Sequence, residues 1–506
     1  PRHKCWLVPM DHIQQVIDAL APLGFSIDPA IHDLKEKISR ENAELQALRD
    51  QPAKYDGKLP LYDFQKVGAM FMRASSGTLL ADVPGLGKTI QTIASQENKI
   101  LRTLVLCPAS LKFNWKEEIE KWSDRTIQVI NGNKKERSEQ WPRYYNWTIA
   151  NYELLLRDYE EISKIKWDEI VCDEATQISN PGAKSVKALK QISAPKKIAL
   201  TGTPVSNTPV DLWSIIDWIR PGYLGNFSQF KDKYVLTDWW GNVAGYINLD
   251  DLSEKIAPLM LRRTKEEVFK DFPAKTTENI IFELSTEERK VYEGVQKRIL
   301  EEIQSYLSKI DQRTLNLIPV KMLRLKQVTG HLKLIGEKGE SSKLAALKDI
   351  LEPIIKSGEK AIVFTQFAEM AKILAKELKD QLPLLIYGDV PAEERQALVN
   401  LFNTRDLCHP IMISTEAGAY GINLQSASYV IHYDAPWSVA KLTQREDRAH
   451  RIGQTKPVTV YNLIARNSID QYISAVLHKK YKISQDILQD ADAGIDENDI
   501  QQILKL

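Results

Sequence analysis

The strongest constraint on the fold of this 506-residue chain is a glycine-rich loop, DVPGLGKT, at residues 82–89. An apolar run precedes the loop and a helical pattern follows it, so the sequence predicts a strand, a tight loop and a helix. Backbone N–H groups at the start of such a helix favour anions. The loop therefore predicts a phosphate site. Gly85 and Gly87 let the backbone approach the phosphates, Lys88 reaches the terminal ones, and Thr89 binds Mg²⁺.

A second signal supports this interpretation of the loop. Asp82 stands where the pattern usually begins with Gly, and an ordinary tight turn would also fit these residues. However, an apolar strand pattern at residues 169–172 ends at Asp173 and Glu174. Asp173 can bind Mg²⁺ and Glu174 can activate the attacking water, a division of roles that suits phosphoryl transfer. The pair alone would fit a solvated strand end, but its separation from Lys88 is common for two strands of one doubly wound sheet.

Short apolar strands alternate with helical patterns in two parts of the chain, at residues 56–222 and 336–480. Fully apolar strands between helices predict parallel sheets that are covered on both faces. We therefore expect an α/β fold with two such lobes. The strand pattern stops at residues 223–335, which we interpret as a helical protrusion or linker region. Residues 1–55 form a small N-terminal accessory segment, for which packing is the favoured role, and residues 481–506 form a C-terminal helical tail.

Four further strings follow in order along the chain. They are LTGTP at 200–204, VFTQF at 363–367, STEAGAYGINL at 414–424 and QREDRAHRIGQ at 444–454. Together with the two earlier signals, this set resembles the helicase-like ATPases of superfamily two, and the Swi/Snf branch most closely. The resemblance covers residues 58–480 and implies two RecA-like lobes that hydrolyse ATP with Mg²⁺ at the lobe interface. LMLRRTKEEV at 259–268 resembles a connector segment of the same branch.

The resemblance also implies roles for residues outside the glycine loop. It places Gln65 against the edge of the adenine base and Gly421 at the nucleotide. Gln444 would couple the nucleotide state to the position of the lobes. Thr176 stands where the family usually has His, so we expect hydrolysis to survive, while its coupling to the Thr201–Thr203 segment is open.

Two arginines match the finger positions of the family's last motif. Arg448 and Arg451 would stabilise the transferring phosphoryl group, and their spacing predicts that both lie on one helix face. An isolated string of this kind would also fit a surface helix whose arginines form salt bridges with Glu446 and Asp447.

The resemblance further points to DNA contacts in both lobes. Hydroxyl and amide groups suit phosphate contacts, which position a protein on DNA without reading its sequence. Turn chemistry or helix capping would explain each residue equally well when it is taken alone. The candidates are Ser110, Asn151, Tyr152, Thr365, Gln366, Ser414, Thr415 and Trp437.

Composition limits the other possibilities. The formal net charge is only +1, so a nucleic-acid surface must come from local grouping of lysines and arginines. The 4 cysteines form no C-x-x-C pair, which indicates reduced thiols rather than disulfides or zinc. No apolar run is long enough to span a membrane, and no signal peptide is visible. Because the chain starts at Pro1, a trimmed product that lacks targeting segments is expected.

The sequence thus predicts a DNA-dependent ATPase that translocates along double-stranded DNA and remodels DNA or protein–DNA complexes. Two alternatives stay open: a strand-separating or annealing helicase at forks, and a nucleotide-gated DNA clamp with little turnover. We expect a monomer, with protein partners on DNA. It would work in the cytoplasm of a prokaryote or virus-infected cell, or in the nucleus of a eukaryote.

Overall fold

The structure is a computed structural model. It describes residues 22, 28–50, 55–202, 204, 209–237, 243–269, 271–307, 312–404, 409–415, 418 and 422–488. The chain divides into two compact units, of which the first extends to residue 270 and the second begins at Asp271.

The first unit contains a sheet of seven strands in the order β3-β4-β2-β5-β6-β1-β9, and all neighbouring pairs are parallel. A separate antiparallel pair, β7 and β8, lies later in the same unit. The strands are β1 Gly77–Leu80, β2 Thr103–Cys107, β3 Ile127–Val129, β4 Trp147–Asn151, β5 Glu169–Asp173, β6 Lys196–Leu200, β7 Val235–Thr237, β8 Val243–Tyr246 and β9 Met260–Leu261.

The second unit contains a sheet of six strands in the order β10-β15-β14-β11-β13-β12, which is also parallel throughout. Its strands are β10 Lys275–Phe282, β11 Ala361–Thr365, β12 Leu384–Ile386, β13 Ile411–Thr415, β14 Tyr429–His432 and β15 Val458–Ala465.

Both sheets are buried on both faces. In β2, Leu104 and Leu106 pack into one apolar cluster, whereas Val105 and Cys107 pack into a second cluster on the opposite face. The strands of the second sheet divide in the same way between two clusters. Successive side chains of a strand point to opposite faces, so strands that are apolar at every position need helices on both sides. The predicted α/β class with two parallel-sheet lobes is confirmed.

Helices connect these strands. Those of the first unit are α1 Pro29–Asp50, α2 Asp63–Ala74, α3 Lys88–Ser95, α4 Lys112–Trp122, α5 Lys134–Gln140, α6 Leu154–Arg157, α7 Tyr159–Ser163, α8 Lys184–Gln191, α9 Pro209–Ile219, α10 Phe227–Tyr234, α11 Leu249–Ile256 and α12 Lys265–Val268. Those that follow are α13 Thr286–Leu307, α14 Gln312–Gly330, α15 Ser342–Lys356, α16 Ala368–Glu377, α17 Ala392–Asn403, α18 Val439–Glu446 and α19 Ile469–Leu488.

The expectation that strands stop between residues 223 and 335 is wrong. β9 lies in this range and pairs with β1 at the edge of the first sheet. β10 lies there as well and pairs with β15 along its whole length in the second sheet. The sequence also predicts a long helix from Thr286 to about Ser308 within this region, and it is present as α13. Residues 223–335 therefore contribute to both sheets, and the division of the chain into five parts stays a prediction.

Helix α1, predicted within the N-terminal segment, packs on the first unit. Leu45 is fully buried in a cluster with Phe71. The Glu41 carboxylate accepts hydrogen bonds from the backbone and hydroxyl of Ser76, and the Arg220 guanidinium donates to it at 2.6 Å. These contacts give the segment a packing role.

Parts of the two termini lie outside the described residues. The sequence predicts a short strand at residues 4–9, a helix at residues 13–23 and a partly acidic C-terminal tail. The strand, most of that helix and the acidic end of the tail after residue 488 are outside the described residues. Within the described residues, no helix is long and apolar enough to cross a membrane.

We predict that Glu41→Ala lowers the free energy of unfolding of the first unit by roughly 3–5 kcal/mol, because removing one partner of a buried ion pair leaves the other charge uncompensated. The Glu41 and Arg220 side chains are only 9% and 8% exposed. The measurement is urea unfolding followed by tryptophan fluorescence.

Glu36→Ala is the matched control, because Glu36 pairs with Arg40 on the exposed face of the same helix. Its unfolding midpoint should stay at the wild-type value. Equal midpoints for the two variants would show that α1 does not depend on this ion pair.

Candidate functional site

The glycine loop has the predicted strand–loop–helix structure. β1 ends at Leu80 and α3 begins at Lys88. Between them, Gly85 and Gly87 have φ angles of 91° and 76°, which L side chains rarely adopt. A Cβ atom at Gly87 would also lie 2.7 Å from Nε2 of Gln65. The left-handed conformation therefore favours glycine at position 87, and a side chain there would also displace the Gln65 amide.

Lys88 and Thr89 lie in the first turn of α3, where the helix dipole favours anions. The Lys88 ammonium donates to the backbone carbonyl of Asp82 at 2.7 Å, which holds it across the mouth of the loop. Thr89 is half-buried beside it. The structure thus brings together the lysine and the hydroxyl that the sequence assigned to phosphates and Mg²⁺.

Asp82, which departs from the usual loop pattern, forms a buried ion pair. Its carboxylate is fully buried and accepts from Arg263 at 2.9 Å to Oδ1 and 2.6 Å to Oδ2. Gln91 of α3 donates to the same carboxylate at 3.1 Å. A bidentate arginine–carboxylate pair fixes orientation as well as distance. The first residue of the loop is therefore rigidly held.

Arg263 also connects the loop to other parts of the first unit. It donates to the backbone carbonyl of Phe64 in α2 and, at 2.9 Å, to Oε1 of Gln91 in α3. The loop backbone bonds to the same segment, because Ala81 N donates to Leu261 at 2.7 Å and Val83 N donates to Arg263 at 3.1 Å. Sequence analysis missed this role. One signal for it was present in the sequence. Asp82 puts a charge where the loop pattern usually has Gly, and a buried charge needs a charged partner.

Gln65, the predicted adenine contact, lies next to the glycine loop. Its Nε2 donates to the Leu86 carbonyl at 3.2 Å, and its Oε1 accepts from Tyr62 N at 3.1 Å. The rings of Tyr62, Phe64 and Phe269 pack together, with centroids 5.3–5.9 Å apart. The role of Gln65 at the base stays a prediction.

Asp173 ends β5 and is held by hydrogen bonds on both carboxylate oxygens. Oδ2 accepts from the Trp115 indole at 2.8 Å, and Oδ1 accepts from Glu174 N at 2.9 Å. Burial raises the pKa of the Asp173 carboxyl, while the Trp115 hydrogen bond and the nearby Lys88 charge lower it. The glycine loop and Asp173 both follow strands that end at one edge of the parallel sheet.

Glu174 has a φ of 50°, a left-handed conformation that is uncommon for a residue with a side chain. Its backbone N–H is the donor to Asp173, and a short 3-10 helix, Ala175–Ile178, follows it directly. Such strained conformations concentrate at functional sites, where the surroundings hold them in place. The conformation therefore fits the predicted role of Glu174 as a group that orients water.

The oxygen donors near the loop fit Mg²⁺. The described residues contain no group of three or more His, Cys, Asp or Glu that could hold a metal. Mg²⁺ in nucleotide sites is bound by one or two protein oxygens together with phosphates and waters. The Thr89 hydroxyl and the half-buried Asp173 carboxylate supply a donor set of that kind.

Thr176, in the place of the usual His, bonds locally. Its hydroxyl donates to the Glu174 carbonyl at 3.4 Å. Gly202 of the following motif lies against the glycine loop, since a Cβ there would be 2.6 Å from Cδ of Pro84. The neighbouring Thr203 lies outside the described residues, as does the predicted nucleotide residue Gly421.

The predicted DNA residues of the first unit follow β2 and β4. Ser110 is half-buried in a 3-10 helix, Ala109–Leu111. Asn151 ends β4, and its amide donates to the Glu153 carboxylate. Tyr152 is buried, and its hydroxyl donates to the Asp173 carbonyl at 2.8 Å. The Tyr152 side chain is thus directed towards the candidate nucleotide site, and DNA contact by these residues stays a prediction.

The predicted DNA residues of the second unit lie at the ends of β11 and β13 or shortly after β14. Thr365, Ser414 and Thr415 are buried, and the Thr365 hydroxyl donates to the Asp434 carboxylate. The Ser414 hydroxyl donates to the Thr415 carbonyl at 3.2 Å. Because these hydroxyls are engaged inside the unit, a DNA contact at this edge would need backbone groups or a rearrangement.

Gln366 and Trp437 share a buried lysine that sequence analysis did not identify. The Lys326 ammonium donates to Oε1 of Gln366 at 2.6 Å and lies 4.9 Å from the centre of the Trp437 ring. Burial lowers the pKa of Lys326 to about 8, although the Asp434 carboxylate opposes this shift. Lys326 thus connects two of the predicted DNA residues.

The prediction that Arg448 and Arg451 lie on one helix face is wrong. Helix α18 ends at Glu446, and both arginines follow it in turns. Gln444 lies in the last turn of α18. The backbone carbonyl of Arg448 accepts from Leu424 N at 2.9 Å. Periodicity does not show where a helix ends, and the arginines are placed by turns instead.

Glu446 and Asp447, the proposed partners in a surface salt-bridge helix, are both buried. Lys275 of β10 donates to Glu446 at 2.6 Å, and His432 lies 3.6 Å away on the other side. Burial would raise the pKa of Glu446, but Lys275 and His432 outweigh it and bring the pKa down to about 2. Glu446 therefore binds β10 to the motif.

Comparison with known proteins identifies two matching models. The SNF2-related domain model matches residues 21–334, and the model of the helicase conserved C-terminal domain matches residues 342–453. Together they cover every strand of the two parallel sheets except β15.

Individual relatives match most of this chain. A Mycoplasma genitalium protein named as an uncharacterized ATP-dependent helicase is 35% identical over 84% of the chain and 42% of the relative. Human chromodomain-helicase-DNA-binding protein 1 is 29% identical over 90% of the chain and 28% of the relative. The chain thus spans less than half of either protein. The solved SWI2/SNF2 ATPase core of Sulfolobus solfataricus with dsDNA is 33% identical, covering 87% of this chain and 95% of that one, with a TM-score of 0.42.

Arg263→Ala should weaken ATP binding and lower the stability of the first unit by roughly 3–5 kcal/mol, because it leaves the Asp82 carboxylate buried without its counter-charge. Arg263→Ala with Asp82→Ala should recover much of the stability, since no unpaired charge remains. Thermal unfolding and titration with a fluorescent ATP analogue measure the two effects. If the double variant is no more stable than Arg263→Ala alone, the ion pair is not the source of the loss.

The buried Lys326 predicts a specific pH dependence. Its pKa in the folded chain is about 8, below the ordinary value of 10.5. The unfolded chain therefore binds more protons between these values, and the contribution of Lys326 to stability rises with pH across that window. Relative to Lys326→Met, the wild type should gain on the order of 3 kcal/mol between pH 7.5 and pH 10.5.

Urea unfolding at each pH measures this difference. Lys356→Met is the control, because Lys356 is exposed and pairs only with Glu352 of its own helix among the contacts described. A constant offset between wild type and Lys326→Met at every pH would contradict the lowered pKa.

Proposed function

This chain belongs to the SNF2-related family of ATP hydrolases, and we propose that it is a DNA-dependent ATPase that translocates along double-stranded DNA and remodels DNA or protein–DNA complexes. The observation that carries the proposal is the strand–loop–helix that begins α3 at Lys88, together with the Asp173 carboxylate at the end of β5 in the same parallel sheet. Both lie at the carboxyl edge of this sheet, because β1 and β5 run parallel on either side of β6. Nucleotide phosphates need both a positive group and a metal-binding carboxylate in this arrangement.

The residues of the first unit divide the chemistry. Lys88 and the backbone N–H groups that follow Gly87 bind the phosphates of ATP, and the ion pair of Asp82 holds the loop in position for them. Thr89 and Asp173 would hold Mg²⁺, which neutralises phosphate charge when bound. Glu174 orients the attacking water and accepts its proton. Gln65 binds the adenine edge next to Tyr62.

The last motif supplies the remaining charge. Arg448 and Arg451 stabilise the transferring phosphoryl group, a contribution worth roughly 10³- to 10⁵-fold in rate in comparable enzymes. Gln444 couples the nucleotide state to movement. The family match of residues 342–453 to the helicase conserved C-terminal domain supports this assignment, because all three residues lie within it.

Double-stranded DNA is the proposed track. The names of the relatives support DNA as the partner: one describes an ATP-dependent helicase and another a DNA-binding protein. Ser110, Gln366 and backbone groups at Asn151 and Thr365 contact phosphates, which lets the chain move without reading bases.

Displacement of a third strand from a DNA triplex tests the proposed translocation. With ATP, the wild type should displace the third strand from duplex DNA and should not separate the strands of a forked duplex. Strand separation without triplex displacement would identify the helicase alternative. Neither activity, with DNA binding retained, would identify the clamp.

Lys88→Ala should lower ATP turnover by at least roughly 10²-fold, because it removes a charge-stabilising donor to the reacting phosphates. DNA affinity, measured by fluorescence anisotropy, should stay close to wild type. Lys356→Ala serves as the control for loss of a lysine charge, and circular dichroism checks folding. Unchanged turnover in folded Lys88→Ala would exclude the glycine loop as the hydrolytic site.

A further inference from the structure

Two side chains from different segments donate hydrogen bonds to Asp173. The indole N–H of Trp115, in α4, donates to the carboxylate at 2.8 Å. The hydroxyl of Tyr152, directly after β4, donates to the backbone carbonyl at 2.8 Å. One bond thus acts on the side chain of Asp173 and the other on its backbone.

Both donors come from the segments that the sequence assigns to DNA. Trp115 follows the 3-10 helix that contains Ser110, and Tyr152 follows Asn151. In the sheet, β2 lies between β4 and β5, with Cys107 opposite Asn151 and Leu106 opposite Cys172. The Tyr152 side chain therefore reaches past the end of β2 to Asp173. Each DNA segment has a direct bond to the same residue.

The buried indole of Trp115 depends on Asp173 as its hydrogen-bond acceptor. Trp115 is 1% exposed, and an indole can only donate a hydrogen bond, so no solvent replaces Asp173 as its acceptor in this structure. The second carboxylate oxygen of Asp173 accepts a hydrogen bond from Glu174 N. Fixing the Asp173 side chain therefore also fixes the backbone of Glu174. Partners of this kind orient metal-binding groups, and their mutation typically lowers metal affinity or activity by roughly 10- to 100-fold.

We propose that Trp115 and Tyr152 are positioning residues that connect the two DNA-contacting segments to Asp173, so that bound duplex improves magnesium binding there and raises the rate of hydrolysis. This inference rests on the proposed function. DNA that presses on the Ser110 and Asn151 segments moves α4 and Tyr152. The Trp115 bond passes that movement to the Asp173 carboxylate, and the Tyr152 bond passes it to the Asp173 backbone.

The test uses the full chain and a fluorescent, non-hydrolysable ATP analogue, with MgCl₂ titrated in the absence and presence of a blunt DNA duplex. In the wild type, duplex should lower the magnesium concentration needed for half-maximal nucleotide binding. Trp115→Phe should raise that concentration by roughly 10- to 100-fold and remove most of the DNA effect. Tyr152→Phe, which keeps the ring and removes only the hydroxyl, should reduce the DNA effect.

Two matched controls separate this role from general packing. Trp122→Phe changes the same residue type on the same helix, where the indole donates to Glu118 at 2.9 Å instead. Tyr159→Phe removes a hydroxyl that donates to Gln191 at 2.7 Å. Both controls should titrate like the wild type. Thermal unfolding of all four variants and their DNA affinities, measured by anisotropy, show whether each is folded and binds duplex.

The outcomes distinguish this inference from the proposed function. If Trp115→Phe and Tyr152→Phe titrate like their controls, with and without DNA, the positioning role is overturned. If duplex does not raise ATP turnover of the wild type, the proposed function fails instead. In that case, the titration without DNA still decides whether Trp115 positions Asp173. If Trp115→Phe is unstable, folded Tyr152→Phe alone decides whether the DNA effect passes through these bonds.

Discussion

The buried ion pair between Arg263 and Asp82 constrains the candidate nucleotide site more than any other interaction in the first unit. A carboxylate with no exposure is tolerated in a protein interior only when a charged partner and further donors compensate it, and here Arg263 and Gln91 do so. The pair joins the glycine loop to Arg263, which lies close to the point where the first unit ends at residue 270. It also places β9 beside β1, so the edge of the sheet and the phosphate loop form one hydrogen-bonded structure.

A second group of hydrogen bonds surrounds Asp173, and it holds a different part of the candidate site. The bonds around Asp82 hold the loop. Those from Trp115 and Glu174 hold the Asp173 carboxylate, which would bind a metal, and the bond from Tyr152 holds the Asp173 backbone. The strained backbone of Glu174 follows directly. The rigid sheet beneath positions both sets, because β1 and β5 lie on either side of β6 and end at the same edge. Phosphoryl transfer depends on such fixed groups more than on covalent chemistry by the protein.

Patterns of neighbouring residues correctly predicted the two sheets and the loop before α3. Apolar strands between helices predicted two parallel sheets, and the glycine loop predicted the turn before α3. Two failures have physical causes. β9 has only two residues and β10 is polar and largely exposed, so neither shows the apolar run of a central strand. Arg448 and Arg451 have helical spacing, but spacing alone carries no signal that α18 ends at Glu446. Local patterns could not indicate the roles of Arg263, Trp115 and Lys326. Each of these residues acts through contacts with residues that are distant in the sequence.

Hydrolysis that depends on DNA is the central claim, and the most direct test is the release of inorganic phosphate from Mg-ATP by the wild-type chain as duplex DNA is added. The account predicts a slow basal rate that rises with duplex concentration to a plateau, because duplex acts on Asp173 through the segments that follow β2 and β4. The same low rate at every duplex concentration, under conditions where anisotropy shows the DNA to be bound, would contradict it.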